Sequence, residues 1–142
     1  MEDFTKIPEG GSFRRVYTAP ADGRPPMTLI EYRMAAGEGS RPHSLDADET
    51  WIHLSGDPVT VLCAAEGQPV CRVLNPGEQF FFPANALMAA WTRGEHGAML
   101  ACMCVPGYED EGFRLWSAAE VAARWPEAAV LLPDFLCDEK KP

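Results

Sequence analysis

The chain has 142 residues, of which 46% are apolar and 23% charged, and its formal net charge is −9. This length predicts one domain, and these proportions exclude a wholly disordered protein. The twelve basic residues are scattered, so we expect neither nucleic acid nor an anionic membrane surface as a partner. No apolar run approaches the roughly 18 residues of a membrane-spanning helix, and the N-terminal residues lack a secretion signal, so we expect a cytoplasmic protein.

Proline and glycine divide the chain into short segments that predict β-strands. The thirteen prolines and twelve glycines separate runs of about four to eight residues that are rich in apolar and β-branched side chains. Such runs, joined by turns, are typical of a β-sandwich or barrel. In chain order, the predicted strands are residues 12–18, 27–34, 49–54, 59–64, 70–74, 79–82, 88–92 and 99–105.

The C-terminal part predicts helix instead. Ser117 followed by Glu120 has the spacing of a capping box, which predicts a helix over residues 118–124. Pro126 ends that helix and predicts a second short helical turn over residues 126–132.

Two predicted strands are apolar on both faces. Along residues 49–54, Trp51 lies on one face and Ile52 and Leu54 on the other, and residues 80–82 are three phenylalanines. An antiparallel strand that is buried on one side only has a polar outer face. We therefore expect the outer face of these strands to be covered by a second subunit in a homodimer. The alternative is cover by the C-terminal helix alone.

The sequence contains five cysteines, an odd number in a chain without an export signal. We expect reduced thiols that are mostly buried as small apolar groups. Cys102 and Cys104 lie two residues apart on one predicted strand, so both thiols lie on the same face. Cys102 is a candidate ligand contact, and the alternative is a structural thiol in the core.

The chemically informative stretch begins at Gly37 and ends at Gly56, with His43 and Glu49 between them. A histidine on one strand and a glutamate on the next, beyond a turn, can point to the same place inside a barrel. Three interpretations of this pair stay open: two ligands of a divalent metal, a metal-free acid–base pair, or a hydrogen-bonded pair in the core. Two ligands are fewer than a firm metal site needs.

This stretch resembles the first signature of the cupin superfamily. Its spacing is G-x5-H-x-L-x3-E-x6-G, and the stretch from Gly77 to Met88 resembles the second signature as G-x5-P-x-N-x2-M. The superfamily has histidine where Leu45 and Met88 stand here, so two of the four metal ligands that the resemblance implies are absent.

Further motifs are similar to those of cupin family five, a branch of small single-domain cupins. They are the opening Pro-Glu-Gly-Gly at residues 8–11, Asp-Glu-Thr-Trp at 48–51, Gly-Asp-Pro at 56–58 and Pro-Gly-Tyr at 106–108. The resemblance runs from about residue 7 to 135. It implies an all-β fold, a double-stranded β-helix or jelly-roll barrel over about 12–113, with a C-terminal helical segment over about 117–135 and one domain over 1–142. It also implies a dimer.

We assign His43 and Glu49 as the catalytic pair, with His43 as acid or base and Glu49 orienting it. The residues expected to contact the ligand are aromatic or soft side chains together with one further histidine: Trp51, His53, Phe82, Met88, Trp91 and Cys102. Each of these has core packing as its alternative role.

The predicted function is that of a small-molecule enzyme of isomerase, epimerase, cyclase or dehydratase type, acting on an apolar substrate by acid–base chemistry without a cofactor. One alternative is a metal-dependent oxygenase, in which Fe, Ni, Cu or Zn is held by His43, Glu49 and a third ligand such as His53 or a cysteine. Another is a ligand-binding cupin without catalysis. Metal that is lost on replacing His43 would favour the oxygenase.

Overall fold

The computed structural model describes residues 3–137, with the backbone alone at Cys137. Two antiparallel sheets enclose one core, with strand orders β1-β2-β3-β10-β5-β8 and β11-β4-β9-β6-β7. The strands are β1 (Thr5–Lys6), β2 (Ser12–Thr18), β3 (Thr28–Met34), β4 (Gly39–Leu45), β5 (Asp48–Gly56), β6 (Val59–Ala64), β7 (Val70–Leu74), β8 (Gln79–Phe82), β9 (Leu87–Trp91), β10 (Ala98–Val105) and β11 (Phe113–Leu115). The predicted all-β jelly-roll barrel is thereby confirmed.

Alternating side chains build the core between the two sheets. On β5, Glu49, Trp51 and His53 are buried inside, whereas Ile52 and Leu54 point outward. This follows from the two-residue period of a strand, which sends successive side chains to opposite faces.

Three short helices cover the outer face of the β4-β9-β6 sheet. They are α1 (Ala118–Arg124), α2 (Pro126–Ala129) and α3 (Asp134–Cys137). The predicted capping box is present at the start of α1, since the Ser117 hydroxyl accepts from the Glu120 amide at 3.1 Å and the Glu120 carboxylate accepts from the Ser117 amide at 2.9 Å. Val121 of α1 is fully buried against Leu62 and Leu87 of the sheet.

The opposite sheet keeps an apolar outer face that no described element covers. Ile52, Phe81 and Met103 are 40%, 54% and 37% exposed and lie on three neighbouring strands. The alternative that the C-terminal helix covers this face is wrong, because the helices pack on the other sheet. Cover by a second subunit stays a prediction.

Two strands that position the site are absent from the predicted set, namely β4 and β11. β4 contains Pro42 and several polar residues, and its register with β9 shifts between Ser40 and His43. A strand with this composition lacks the apolar alternation from which strands are predicted. β11 has three residues and pairs with β4, where Leu115 lies opposite His43.

Four cysteines are free thiols in the described part of the chain. Cys63, Cys102 and Cys104 are buried and Cys71 is exposed. Within residues 3–137, no helix is long and apolar enough to cross a membrane.

Candidate active site in the barrel

A cavity of about 600 Å³ extends into the barrel and contains both members of the predicted catalytic pair in its lining. This volume is within the range that holds one small organic ligand. Strands β2, β3, β4, β5 and β10 form its walls, and residues 6–9 and 108–113 complete them. Large apolar side chains of the lining include Phe13, Ile30, Leu45, Trp51 and Phe113.

His43 is 3% exposed and is oriented by its own strand. Its Nδ1 lies 2.8 Å from the carbonyl oxygen of Arg41 and 3.4 Å from the Ser40 hydroxyl. A carbonyl oxygen only accepts, so Nδ1 carries the hydrogen and donates it. In the neutral ring, Nε2 then holds a free lone pair, and among residues 3–137 no hydrogen bond occupies this atom. His43 is therefore preset as a base.

Glu49 is the buried carboxyl of the cavity, with 6% exposure. The Trp51 indole N–H donates to Oε1 at 2.7 Å, and the Cys104 thiol donates to Oε2 at 3.0 Å. The two donors fix the plane of the carboxylate, because each oxygen has its own partner. Glu49 and Trp51 lie on the same face of β5, and Cys104 is paired with Glu49 across the strands.

Burial dominates the proton affinity of this carboxyl. Desolvation raises the pKa of Glu49, whereas the hydrogen bonds from Cys104 and Trp51 and the nearby His43 ring act in the opposite direction. The same burial, together with the charge of Glu49, raises the pKa of the Cys104 thiol, so this thiol keeps its proton and remains a donor. A carboxyl with a raised pKa holds and releases a proton closer to neutral pH, where a general acid is effective.

Among the described residues, His43 and Glu49 share no hydrogen bond. The predicted role of Glu49 in orienting His43 is therefore corrected: the Arg41 carbonyl orients the imidazole, and Trp51 and Cys104 orient the carboxylate. Both side chains line one cavity without a hydrogen bond between them.

Trp51 and Cys102 line the cavity, as residues that contact a ligand would, whereas the other four predicted contacts do not. Phe82 and Met88 pack within the barrel core. His53 is fully buried, lies within 2.6 Å of the Asp57 carbonyl oxygen, and also lies outside the lining. Four residues of strand separate it from Glu49, a rise of about 13 Å, which places it toward the other end of the barrel.

The predicted position of Trp91 inside the cavity is also corrected. Its side chain packs outside the barrel, in the layer between the sheet and the C-terminal helices. Met88 and Trp91 are three residues apart on β9, so one strand cannot point both into the barrel. Met88 has the inward position and Trp91 the outward one.

Sequence reasoning missed the N-terminal residues of the cavity lining and several residues that orient His43 and Glu49. Ile7, Pro8 and Glu9 line the cavity from an N-terminal segment, and the Tyr32 hydroxyl donates to the Gly10 carbonyl at 2.6 Å to hold that segment. A Cβ at Gly10, whose φ is +111°, would collide with the Gly39 carbonyl oxygen, so only glycine fits there. Of these residues, only Cys104 could have been predicted from the sequence, because it lies two residues after Cys102 and therefore on the same face of the strand.

The donor set does not fit a catalytic divalent metal. Such ions need about three protein ligands of nitrogen or oxygen type, and the two positions at which the cupin signatures have further histidines hold Leu45 and Met88. Within residues 3–137, no three His, Cys, Asp or Glu side chains are grouped so as to hold an ion. Of the third ligands expected for the oxygenase alternative, His53 lies outside the cavity lining, and the Cys104 thiol donates to Glu49.

Solved structures with the same architecture include two small proteins and one larger enzyme. Protein SO0799 from Shewanella oneidensis has a TM-score of 0.81 and 25% identity, covering 90% of this chain and 87% of its own. A hypothetical protein from Leishmania major has a TM-score of 0.79 and 19% identity, covering 90% and 91%. Oxalate decarboxylase from Bacillus subtilis has a TM-score of 0.66 and 16% identity, covering 89% of this chain and 35% of that enzyme.

No curated protein sequence matches this chain significantly. A family model does match, over residues 3–116, which contain every strand of the barrel and both His43 and Glu49. The chain therefore belongs to the Cupin_5 family of the cupin superfamily (DUF985).

Proposed function

We propose that this protein is an acid–base enzyme that transfers protons to and from an apolar small molecule inside the barrel, without a catalytic metal. The observation that carries the proposal is the bare Nε2 of His43 in a cavity that also contains the buried carboxyl of Glu49. A general base and a general acid of this kind serve in isomerases, epimerases, cyclases and dehydratases that move protons. Structural neighbours such as KdgF from Halomonas sp. and an RmlC-like cupin share the fold at 19% and 16% identity.

The step begins with a ketone in the cavity and a protonated Glu49. Nε2 of His43 accepts a proton from the carbon next to the carbonyl, and the C–H electron pair forms the new C=C bond. The carbonyl π electrons move to oxygen, which takes the proton of Glu49. The products are an enol, a Glu49 carboxylate and a His43 imidazolium. The imidazolium then gives its proton to carbon, the enol O–H returns its proton to Glu49, and the C=O bond forms again. Protonation on the other face completes an epimerisation, and protonation at a conjugated carbon completes an isomerisation.

The raised pKa of Glu49 suits it to the acid role in this scheme. Trp51 and Cys104 keep its oxygens in place, and they stabilise the carboxylate that forms when the proton leaves. The anchored Nδ1–H of His43 keeps the ring in the tautomer that the first step needs. Phe13, Phe113 and Leu45 surround this site with apolar surface and limit the access of water.

The test uses 2-tetralone, an apolar ring ketone with exchangeable C–H groups, in D2O. We expect the wild-type protein to accelerate incorporation of deuterium next to the carbonyl at least tenfold over buffer, read by proton NMR, and we expect protein with E66Q to accelerate it equally. Glu66 is exposed in the turn between β6 and β7, so E66Q removes a carboxylate far from the cavity. H43A and E49Q are expected to lose most of this exchange.

Added imidazole is expected to restore part of the exchange in H43A, because the lost side chain leaves a space of the right shape beside the cavity. Circular dichroism and thermal unfolding establish that each variant is folded. Exchange that is equal in wild type and folded H43A would contradict the proposal. Exchange that disappears on prolonged treatment with a chelator would also contradict it, because the pair would then act through a bound metal.

A further inference from the structure

Four hydrogen-bond donors of the cavity lining are occupied within the protein. The Trp51 N–H and the Cys104 S–H both donate to Glu49, and the Nδ1–H of His43 and the Tyr32 hydroxyl donate to backbone carbonyls. These bonds are 2.6–3.0 Å long. The other buried side-chain donors of the lining are the Thr28 and Ser40 hydroxyls, which can also accept, and the weak Cys102 thiol. The inner end of the cavity therefore presents few groups that can only donate.

The same bonds leave acceptors open to the cavity. His43 keeps the lone pair of Nε2, since only Nδ1 is engaged. Each Glu49 oxygen accepts one hydrogen bond and has a second lone pair. The Tyr32 oxygen likewise donates its hydrogen to Gly10 and can still accept. The deep polar atoms of the cavity thus form a surface that accepts hydrogen bonds.

The charges of the lining disfavour an anion at this inner end. Glu49 is negatively charged once it has given up its proton, and two further acidic side chains, Glu9 and Asp110, also line the cavity. The cations of the lining, Lys6 and Arg15, are both exposed to solvent, where their attraction is weakened by water. A carboxylate ligand would meet acceptors and like charge near His43.

We infer that the cavity takes an uncharged ring compound that bears a hydroxyl donor, and that it rejects the corresponding carboxylate. This inference rests on the proposed function and deepens it, because the enol formed from a ring ketone is itself such a hydroxyl donor. When Glu49 is ionised, the site then binds the enol more tightly than the ketone. Because the transition state resembles the enol, interactions that favour the enol over the ketone also lower the barrier.

The experiment compares three probes of nearly one shape by isothermal titration calorimetry. 2-Naphthol carries a hydroxyl donor, 2-methoxynaphthalene has an acceptor only, and 2-naphthoate carries a negative charge. We expect 2-naphthol to bind wild-type protein at least tenfold more tightly than 2-methoxynaphthalene, with no measurable binding of 2-naphthoate. In E49Q, the loss of charge and the new amide donor are expected to narrow the gap between 2-naphthol and 2-naphthoate, whereas E66Q leaves it unchanged.

Equal or tighter binding of 2-naphthoate or 2-methoxynaphthalene by wild-type protein would overturn the inference, and so would the failure of all three probes to bind. This readout is separate from turnover. If wild-type protein shows no preference for 2-naphthol but its deuterium exchange still depends on His43, the proposed ligand class is refuted and the proposed enzyme function is not. An intact preference with exchange that ignores His43 would refute the enzyme proposal and leave a ligand-binding protein.

Discussion

The hydrogen bond from Trp51 to Glu49 offers a quantitative test of the site, because its removal leaves one carboxylate oxygen without a partner. W51F deletes the indole N–H that donates to Oε1 at 2.7 Å and keeps an aromatic ring between Tyr32 and Phe82. Hydrogen bonds to charged groups contribute about 1.5–3 kcal/mol, and one pKa unit corresponds to about 1.4 kcal/mol. The pKa of Glu49 should therefore rise by about one to two units.

Carbon-13 NMR of the glutamate side-chain carboxyls measures this shift, and the resonance that disappears in E49Q identifies Glu49. W125F is the matched control, since Trp125 packs among the C-terminal helices and should leave the pKa of Glu49 unchanged. A pKa in W51F that equals the wild-type value, in a protein that is still folded, would refute the arrangement of donors described here.

The same carboxyl predicts how stability depends on pH. Because the pKa of Glu49 is raised in the folded protein, the folded state holds this proton more tightly than the unfolded chain does. The contribution of Glu49 to stability is therefore most favourable below its ordinary pKa and declines as the pH rises through the raised value. E49Q should flatten this part of the profile of unfolding free energy against pH.

Three further predictions concern the rest of the molecule. S117A removes the capping hydroxyl of α1 and should lower the free energy of unfolding in urea by about 1 kcal/mol, and an unchanged midpoint would contradict the role of the capping box. F81E places a charge on the apolar sheet face and should convert a homodimer to monomers in sedimentation experiments, whereas V130E, at a site 82% exposed, should not; a wild-type monomer would contradict the expected dimer. In a C137S background, Ellman's reagent should titrate Cys71 alone in the folded protein, and early reaction of a second thiol would show that a cysteine described as buried is accessible.

The barrel could be predicted where turns and alternation agree. The predicted strands at residues 12–18, 59–64, 70–74 and 79–82 coincide with β2, β6, β7 and β8, and the predicted helix coincides with α1. Glycine and proline set these boundaries locally, so no knowledge of the tertiary fold was needed. β4, which contains His43, was not predicted, because Pro42 and its polar neighbours interrupt the apolar alternation by which strands are recognised.

The candidate site could be predicted only in part, because strand parity decides which way a side chain points but not how far along the barrel it lies. Parity correctly placed Glu49 and Trp51 on one inner face. Parity also placed His53 on this face, although His53 lies outside the cavity lining. On β9, parity puts Met88 and Trp91 on opposite faces, so Trp91 could have been excluded from the interior once Met88 was placed there. The bond between Cys104 and Glu49 joins residues 55 positions apart, a contact that one sequence does not disclose.

The central claim is that His43 presents a bare Nε2 to the cavity, and the tautomer of this ring tests it most directly. A long-range proton–nitrogen NMR correlation spectrum at about pH 8, where free histidine is neutral, distinguishes a ring protonated at Nδ1 from one protonated at Nε2. The account predicts hydrogen on Nδ1, where the Arg41 carbonyl accepts it, and a shift of the Nε2 resonance when 2-naphthol is added. Hydrogen on Nε2, or an Nε2 resonance that does not respond to 2-naphthol, would contradict it.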